Sequence, residues 1–336
     1  MKISRHWYRI ALATLASAAL MATFGACSMP SAPTDRYAIV IGIAHYLDSN
    51  SIADCSYAEN DAAALGTKLA AKGWTVYDSL ISSVSSESFP PYTTSVTTTS
   101  VLPYKANIKA ALQNFALAHP NASSVLFYYS GHGTQIGKDA YICPYDTRYL
   151  SSGNLDTSYL ISVSELDAWV NGSGSTNKLV ILDSCYSGGF VPSTLSIDAT
   201  PGAYLPATTS GSVNGAISTA LANAGALFSQ AISDRSDPSI MTISASGWNE
   251  ESYSDVYSVV SPSSDPHGVF TWFFLEAASN ADINGDRLVS ATEAFGYARS
   301  KILAIWDANG STIYQNATFL PHISGGSGDI VLYDNR

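Results

Sequence analysis

The sequence predicts an α/β fold, one large domain built on a mainly parallel central sheet with helices packed against it. Three observations carry this. Val125-Leu126-Phe127-Tyr128-Tyr129 and Leu179-Val180-Ile181-Leu182 are short, wholly apolar runs, the make-up of strands buried on both faces. Such runs alternate with stretches of helical periodicity, the order that parallel crossovers require. Both runs then break into turns of small residues, Ser130-Gly131-His132-Gly133 and Asp183-Ser184-Cys185-Tyr186-Ser187-Gly188-Gly189. A histidine and a cysteine thereby stand at the carboxyl ends of buried strands, where open α/β sheets hold their sites.

The chain begins with Lys2, Arg5 and Arg9, followed by an apolar run from Ile10 to Met21. That is the layout of an export signal over residues 1–26, and it is short for a membrane span. Phe24-Gly25-Ala26-Cys27 resembles a bacterial lipobox, with Phe24 and Gly25 departing from its usual residues. Cys27 is therefore the expected lipidation site, and ordinary cleavage nearby is the alternative. Residues 27–35 read as a short tether. The chain carries a formal charge of −11, and residues 1–26 hold three basic and no acidic side chains, so the remainder stands at −14. So acidic a surface excludes nucleic acid or anionic lipid as the main partner and suits a cationic substrate. Membrane contact is expected only through the lipid anchor. About 300 residues remain, enough for one domain spanning 36–336.

Tyr37 to Gly42 is the first strand. Ala58 to about Ala71 is a helix with Ala62, Leu65 and Leu69 on its apolar face, and Gly73 to Tyr77 returns as a strand, a parallel crossover unit. The Ser/Thr-rich segment 82–100 reads as a surface insertion. Tyr104 to Ala118 is helical, with Ile108, Leu112 and Phe115 aligned. After the His132 strand, Thr134 to Asp146 reads as a hairpin. Ser162 to Val170 is a helix capped by Ser162 or Ser164, leading to the Cys185 strand. Residues 190–239 turn to Ser, Thr, Ala, Gly and Pro, with Arg235 as the one basic residue, and read as a linker or insertion. Ile240 to Ser246 resumes the sheet, and Val269 to Ala278 is an apolar helix.

Residues 282–293 then form an EF-hand-like loop. Asp282, Asn284, Asp286, Ser290 and Glu293 supply side-chain oxygens at loop positions one, three, five, nine and twelve, with the Leu288 carbonyl at seven. Glycine stands at position four, as in dockerin-type loops, and Arg287 at the usual glycine position is a departure. A structural Ca²⁺ is expected; a solvated acidic turn between two helices is the alternative. A helix from Ala291 to Ile305 follows.

Tyr128-Tyr129-Ser130-Gly131-His132-Gly133 followed by Asp183-Ser184-Cys185-Tyr186-Ser187-Gly188-Gly189 resembles the catalytic pair of the metacaspase branch of caspase-like cysteine peptidases. His132 and Cys185 stand 53 residues apart, close to the caspase separation of about 50. Asp-Ser-Cys replaces the caspase Gln-Ala-Cys, as metacaspases have it. The likeness runs from about Arg36 onward. It implies a caspase-like three-layer α/β/α sandwich and a cysteine endopeptidase working through a Cys185–His132 dyad. The amides of Gly133 and Cys185 would form the oxyanion hole. It also implies that Asp61, Ser130 and Asp183 bind a basic P1 side chain, the residue before the cut bond. The substrate would then be a protein or peptide with Arg or Lys at P1.

The residues bear on these roles independently. A thiol needs a base or a lowered pKa to act as a nucleophile, and a histidine supplies one. Asp183 and Cys185, two apart on a strand, can open into one pocket. Two carboxylates favour a guanidinium, although Asp61 also suits a helix start. Arg235 is then the expected point of self-processing in the linker. Cys55 and Cys143 pair as a disulfide or stay as two buried thiols. His45, His119, His267 and His322 show no ligand spacing and read as structural. Two other functions remain open: a catalytically silent caspase-like surface module stabilised by calcium, and a legumain-like enzyme cutting after Asn, which the paired Asp61 and Asp183 oppose.

Overall fold

A computed structural model describes residues 35–81, 102–137, 139–185, 239–247, 252–253, 260–261, 264–305, 319–326 and 328–336. The export signal, Cys27, the insertion at 82–100, and the linker with Arg235, apart from Ser239, lie outside them.

The central sheet has six strands. In chain order they are β1 (Arg36–Gly42), β2 (Thr75–Ile81), β3 (Ser124–Ser130), β7 (Asn177–Asp183), β8 (Ile240–Ser244) and β10 (His322–Ser324). Their spatial order is β10-β8-β7-β3-β1-β2, all parallel except β10, which pairs antiparallel with β8. The hairpin expected after His132 is β4 (Gly133–Ile136) and β5 (Asp139–Ile142), joined by the two-residue β6 (Ile161–Ser162) into a small antiparallel sheet. The helices are α1 (Ala58–Ala71), α2 (Lys105–Ala118), α3 (Val163–Asn171), α4 (Val269–Asn280) and α5 (Ala291–Ile305).

Strand periodicity divides the interior in two. Ala38, Val40, Leu126, Tyr128, Leu179 and Ile181 face one core with α1, α4 and α5. Ile39, Ile41, Val125, Phe127, Tyr129, Val180 and Leu182 face the other with α2 and α3. Helices on both faces explain why these strands are continuously apolar rather than alternating. The result is the expected three-layer α/β/α sandwich. A fully buried side chain such as Phe115 or Phe127 contributes about 1.5–3 kcal/mol.

Local signals fix the helices that matter for the site. Ser162 caps α3 in a reciprocal box with Glu165, worth about 1 kcal/mol. Tyr57, with φ of 76°, turns the chain into α1. The start of α1 lies so close to the end of β1 that a Cβ on Gly42 would stand 2.5 Å from the Ala58 carbonyl. Ile240 to Ser246 is shorter as a strand than expected. It stops at Ser244, whose hydroxyl donates to the Ser246 carbonyl (3.0 Å) and turns the chain.

Two short strands that the sequence does not announce close the fold, β9 (Leu288–Ser290) and β11 (Val331–Asp334), paired antiparallel. The last segment is clasped from several sides. The buried Arg36 donates to the Val331 carbonyl (3.0 Å), Trp74 Nε1 to Leu332 (2.8 Å), and the Tyr333 hydroxyl to Phe274 on α4 (3.0 Å). No helix among the described residues is long and apolar enough to cross a membrane. Cys55 and Cys143 are free thiols.

Candidate active site

β3 and β7 run side by side with Ser130 opposite Asp183. Their turns therefore emerge together at the carboxyl edge of the sheet. His132 is held there by two tyrosines. The Tyr46 hydroxyl accepts from the His132 amide (2.7 Å), and the Tyr46 ring stacks on the imidazole with centroids 5.1 Å apart. The Tyr129 hydroxyl is shared between the carbonyls of His132 (2.8 Å) and Cys143 (2.9 Å). The imidazole Nε2 lies 2.7 Å from the Ala53 carbonyl. A carbonyl only accepts, so Nε2 carries the hydrogen and Nδ1 keeps its lone pair for a proton.

Cys185 is half-buried, with Sγ 3.7 Å from the Ser252 carbonyl. Gly133 touches it from the other turn: a Cβ there would stand 2.0 Å from the Cys185 carbonyl. No other residue fits at 133 without moving the nucleophile turn. The adjacent Ser184 hydroxyl is buried and makes no hydrogen bond with the described residues. His132 and Cys185 line one cavity of about 230 Å³, together with Cys55, Asp61, Ser130 and Asp183. The five polar side chains singled out in the sequence thus share a single space, and Gly133 packs against the cysteine turn that lines it. Burial pushes the Cys143 thiol up to about 12 and the Cys55 thiol higher still. Neither is a thiolate at neutral pH.

The acidic part of the cavity continues the strand rows. Ser130 extends the Leu126–Tyr128 face and Asp183 the Leu179–Ile181 face, so both point toward α1 and α4. Asp183 Oδ2 accepts from the Thr271 hydroxyl (2.6 Å) and amide (3.2 Å), and Oδ1 from Ser252 (2.5 Å). Asp61 Oδ2 accepts from Ser130 (3.1 Å), while Oδ1 accepts from the Gly268 amide (3.0 Å) and faces His267 Nδ1 (2.9 Å). A Cβ on Gly268 would lie 2.9 Å from Oδ2 of both Asp61 and Asp183. Glycine thus leaves open the space between the two carboxylates. Burial, then the charge of Asp61, raises the Asp183 carboxyl to about 6. Burial also raises Asp61, against the opposing pull of His267. For His267 burial alone would lower the pKa, but its contacts with Asp61 and Asp265 outweigh it and the net direction is up.

His267, read from sequence as structural, is therefore part of this constellation, as are Thr271 and Ser252. The usable signals were slight: a threonine in the apolar first half of α4, and a glycine where that helix begins.

The acidic loop between α4 and α5 stands apart from the cavity lining. Asp282 accepts from the amides of Gly285 (2.8 Å) and Arg287 (3.0 Å), Asn284 from Asp286 (2.9 Å), and Asp286 from Leu288 (2.8 Å). Glu293 accepts from Ile283 (3.3 Å) and Ser290 (3.0 Å). Arg287 takes the left-handed conformation, φ 64°, that glycine usually supplies at this loop position. Among the described residues no group of three or more His, Cys, Asp or Glu is gathered closely enough to hold a metal.

Comparison with known proteins agrees with this architecture. The chain resembles caspase-1 from Spodoptera frugiperda, with a TM-score of 0.53 at 13% identity over 92% of this chain and 94% of that one. It also matches protein GSU0716 from Geobacter sulfurreducens, with a TM-score of 0.48 at 16% identity over 87% and 95%. No curated protein matches by sequence. The family model described as the caspase domain matches residues 35–302. With that match covering most of its length, the chain belongs to the caspase-domain family of cysteine peptidases, which act on proteins and peptides.

Proposed function

We propose that this protein is a metacaspase-like cysteine endopeptidase that cuts after Arg or Lys. The observation that carries the reading is the single cavity holding Cys185, His132 and two buried carboxylates. His132 Nδ1 takes the Sγ proton, and the Ala53 carbonyl on Nε2 steadies the imidazolium that results. The thiolate attacks the scissile carbonyl, and the amides of Gly133 and Cys185 receive the oxyanion. His132 then protonates the leaving amine, and water hydrolyses the thioester through the same base. The P1 guanidinium or ammonium enters between Oδ2 of Asp61 and Oδ2 of Asp183, with Ser130 beside them. An aspartate side chain at P1 would meet two like charges there.

Three further assignments accompany this reading. Asp282, Asn284, Asp286, the Leu288 carbonyl, Ser290 and Glu293 would hold Ca²⁺ once the carboxylates that now accept from backbone amides draw together, and they are the hard oxygen donors that ion takes. Its role is to brace the α4–α5 connection, and the chemistry needs no metal. The protein is exported and anchored in a bacterial membrane through lipid on Cys27, which fractionation of a Cys27→Ser variant tests. Self-processing, where it occurs, falls after Arg235. The central test compares fluorogenic peptides bearing Arg, Lys, Asn and Asp at P1, with wild type and Cys185→Ala. Hydrolysis of the Arg and Lys peptides by wild type alone is expected. Turnover by Cys185→Ala, or a preference for Asp, would overturn the reading.

A further inference from the structure

Asp61 is not a free carboxylate facing the cavity. One oxygen is committed to His267, which is 2% exposed and 206 residues away in sequence. Both ring nitrogens of His267 face carboxylates: Nδ1 lies 2.9 Å from Asp61 Oδ1, and Nε2 lies 3.3 Å from Asp265 Oδ1. A neutral imidazole has one N–H, so one of these contacts would set lone pair against carboxylate; only the imidazolium donates to both. Around it lie the Trp272 ring on α4 and the Ser261 hydroxyl, which accepts from the His267 amide. Among the described residues the charged groups facing it are Asp61 from α1 and Asp265 from its own segment, with Asp183 beyond Asp61 across the Gly268 gap.

We propose that His267 sets the charge of the specificity pocket. Protonated, it balances Asp61 and leaves the pocket with one net negative charge; deprotonated, it leaves two. A basic side chain between Asp61 and Asp183 repels the imidazolium, so it binds more tightly once His267 has lost its proton. By linkage, the bound cation lowers the affinity of His267 for that proton. The inference rests on reading this cavity as a pocket for Arg or Lys. His267 touches neither substrate nor nucleophile, so it acts as a positioning residue through Asp61. It also keeps Oδ1 occupied, which turns Oδ2 toward Ser130 and the pocket.

The test is KM and kcat across pH for peptides with Arg or citrulline at P1, the latter of the same shape without the charge. For the Arg peptide, wild-type KM should fall as pH rises in two steps, the lower from Asp183 and the upper from His267. The Asp183 step, a charge in direct contact with the substrate, should change KM by about a hundredfold, and the His267 step, a charge acting from behind Asp61, by roughly tenfold. The citrulline peptide should show neither. His267→Gln keeps an N–H for Asp61 but cannot titrate; it should lose the upper step while kcat keeps its pH profile. Asp265→Asn, at a site 68% exposed, removes one carboxylate from His267 and should move the upper step to lower pH without threatening the fold. An Arg preference with the upper step unmoved in both variants would overturn the role of His267 alone. No preference for Arg over citrulline at any pH would overturn the basic-pocket reading and this inference with it.

Discussion

Replacing Asp183 by asparagine should make the protein more stable at alkaline pH while destroying cleavage after Arg. Burial and the charge of Asp61 raise the Asp183 carboxyl from 3.8 to about 6. The folded chain therefore holds this proton more tightly than the unfolded chain. Below about pH 4 both states are protonated and the site costs nothing. As pH rises through 6 both become ionised, and the folded state carries the full penalty. About two pH units at 1.36 kcal/mol each is on the order of 3 kcal/mol. Asparagine removes that penalty but has only one acceptor oxygen. Either Ser252 or the paired donors of Thr271 then lose a partner, at about 1–2 kcal/mol. The net expectation at pH 8 is a gain of about 1–2 kcal/mol, a rise of a few degrees in Tm for a domain of this size. At pH 4 only the loss remains, and the variant should melt below wild type. Scanning calorimetry of both proteins at the two pH values reads the change of sign directly. Equal destabilisation at pH 8 and pH 4 would refute the argument that Asp183 is held under strain. In the same variant, kcat/KM for Arg peptides should fall at least about a hundredfold, since a desolvated guanidinium loses a charge-assisted partner.

Other outcomes follow from the same geometry. Gly133→Ala puts a methyl 2.0 Å from the Cys185 carbonyl and should lower kcat about a hundredfold or more with circular dichroism unchanged; a fully active variant would mean that the nucleophile turn tolerates displacement. Added Ca²⁺ should raise Tm by mass action, stabilising the fold by about 2.7 kcal/mol at a hundredfold excess over Kd, and the shift should vanish in Glu293→Ala; no shift in wild type removes the ion from the account. Where the chain processes itself, intact-mass spectrometry should find fragments meeting between Arg235 and Ser236 in wild type and none in Cys185→Ala. Cleavage elsewhere in the linker would count against both Arg235 and the basic pocket.

The parts of the fold that could be read from sequence are those whose cause is local. The middles of β3 and β7, residues 125–129 and 179–182, are wholly apolar because both faces are covered, and the glycine-containing turns that follow mark His132 and Cys185 without any tertiary knowledge. α1 and α5 have the ends that the residue pattern indicates, since periodicity acts within a few residues and Ser290 and Glu293 cap the start of α5 reciprocally. The unread parts depend on distance along the chain. His267 meets Asp61 across 206 residues, and Thr271 meets Asp183 across 88; no spacing rule links such positions. Tyr46 supports His132 from 86 residues away, in a loop whose sequence shows only a mixture of polar and apolar side chains. β9 and β11, of three and four residues, are too short to display a period. They exist because Arg36, Trp74 and Phe274 offer the last segment its partners.

The direction of the parallel strands also separates the point where the chain enters the sheet from the cleft. Arg36 stands at the amino end of β1, which is seven residues long, about 20 Å at ~3.3 Å per residue. The neighbouring strands β3 and β7 run the same way and deliver His132 and Cys185 at the far edge. The described chain thus enters the sheet at the edge opposite the cleft. If Cys27 anchors the protein as proposed, shortening residues 27–35 should narrow its choice of protein targets without altering the turnover of a small soluble peptide.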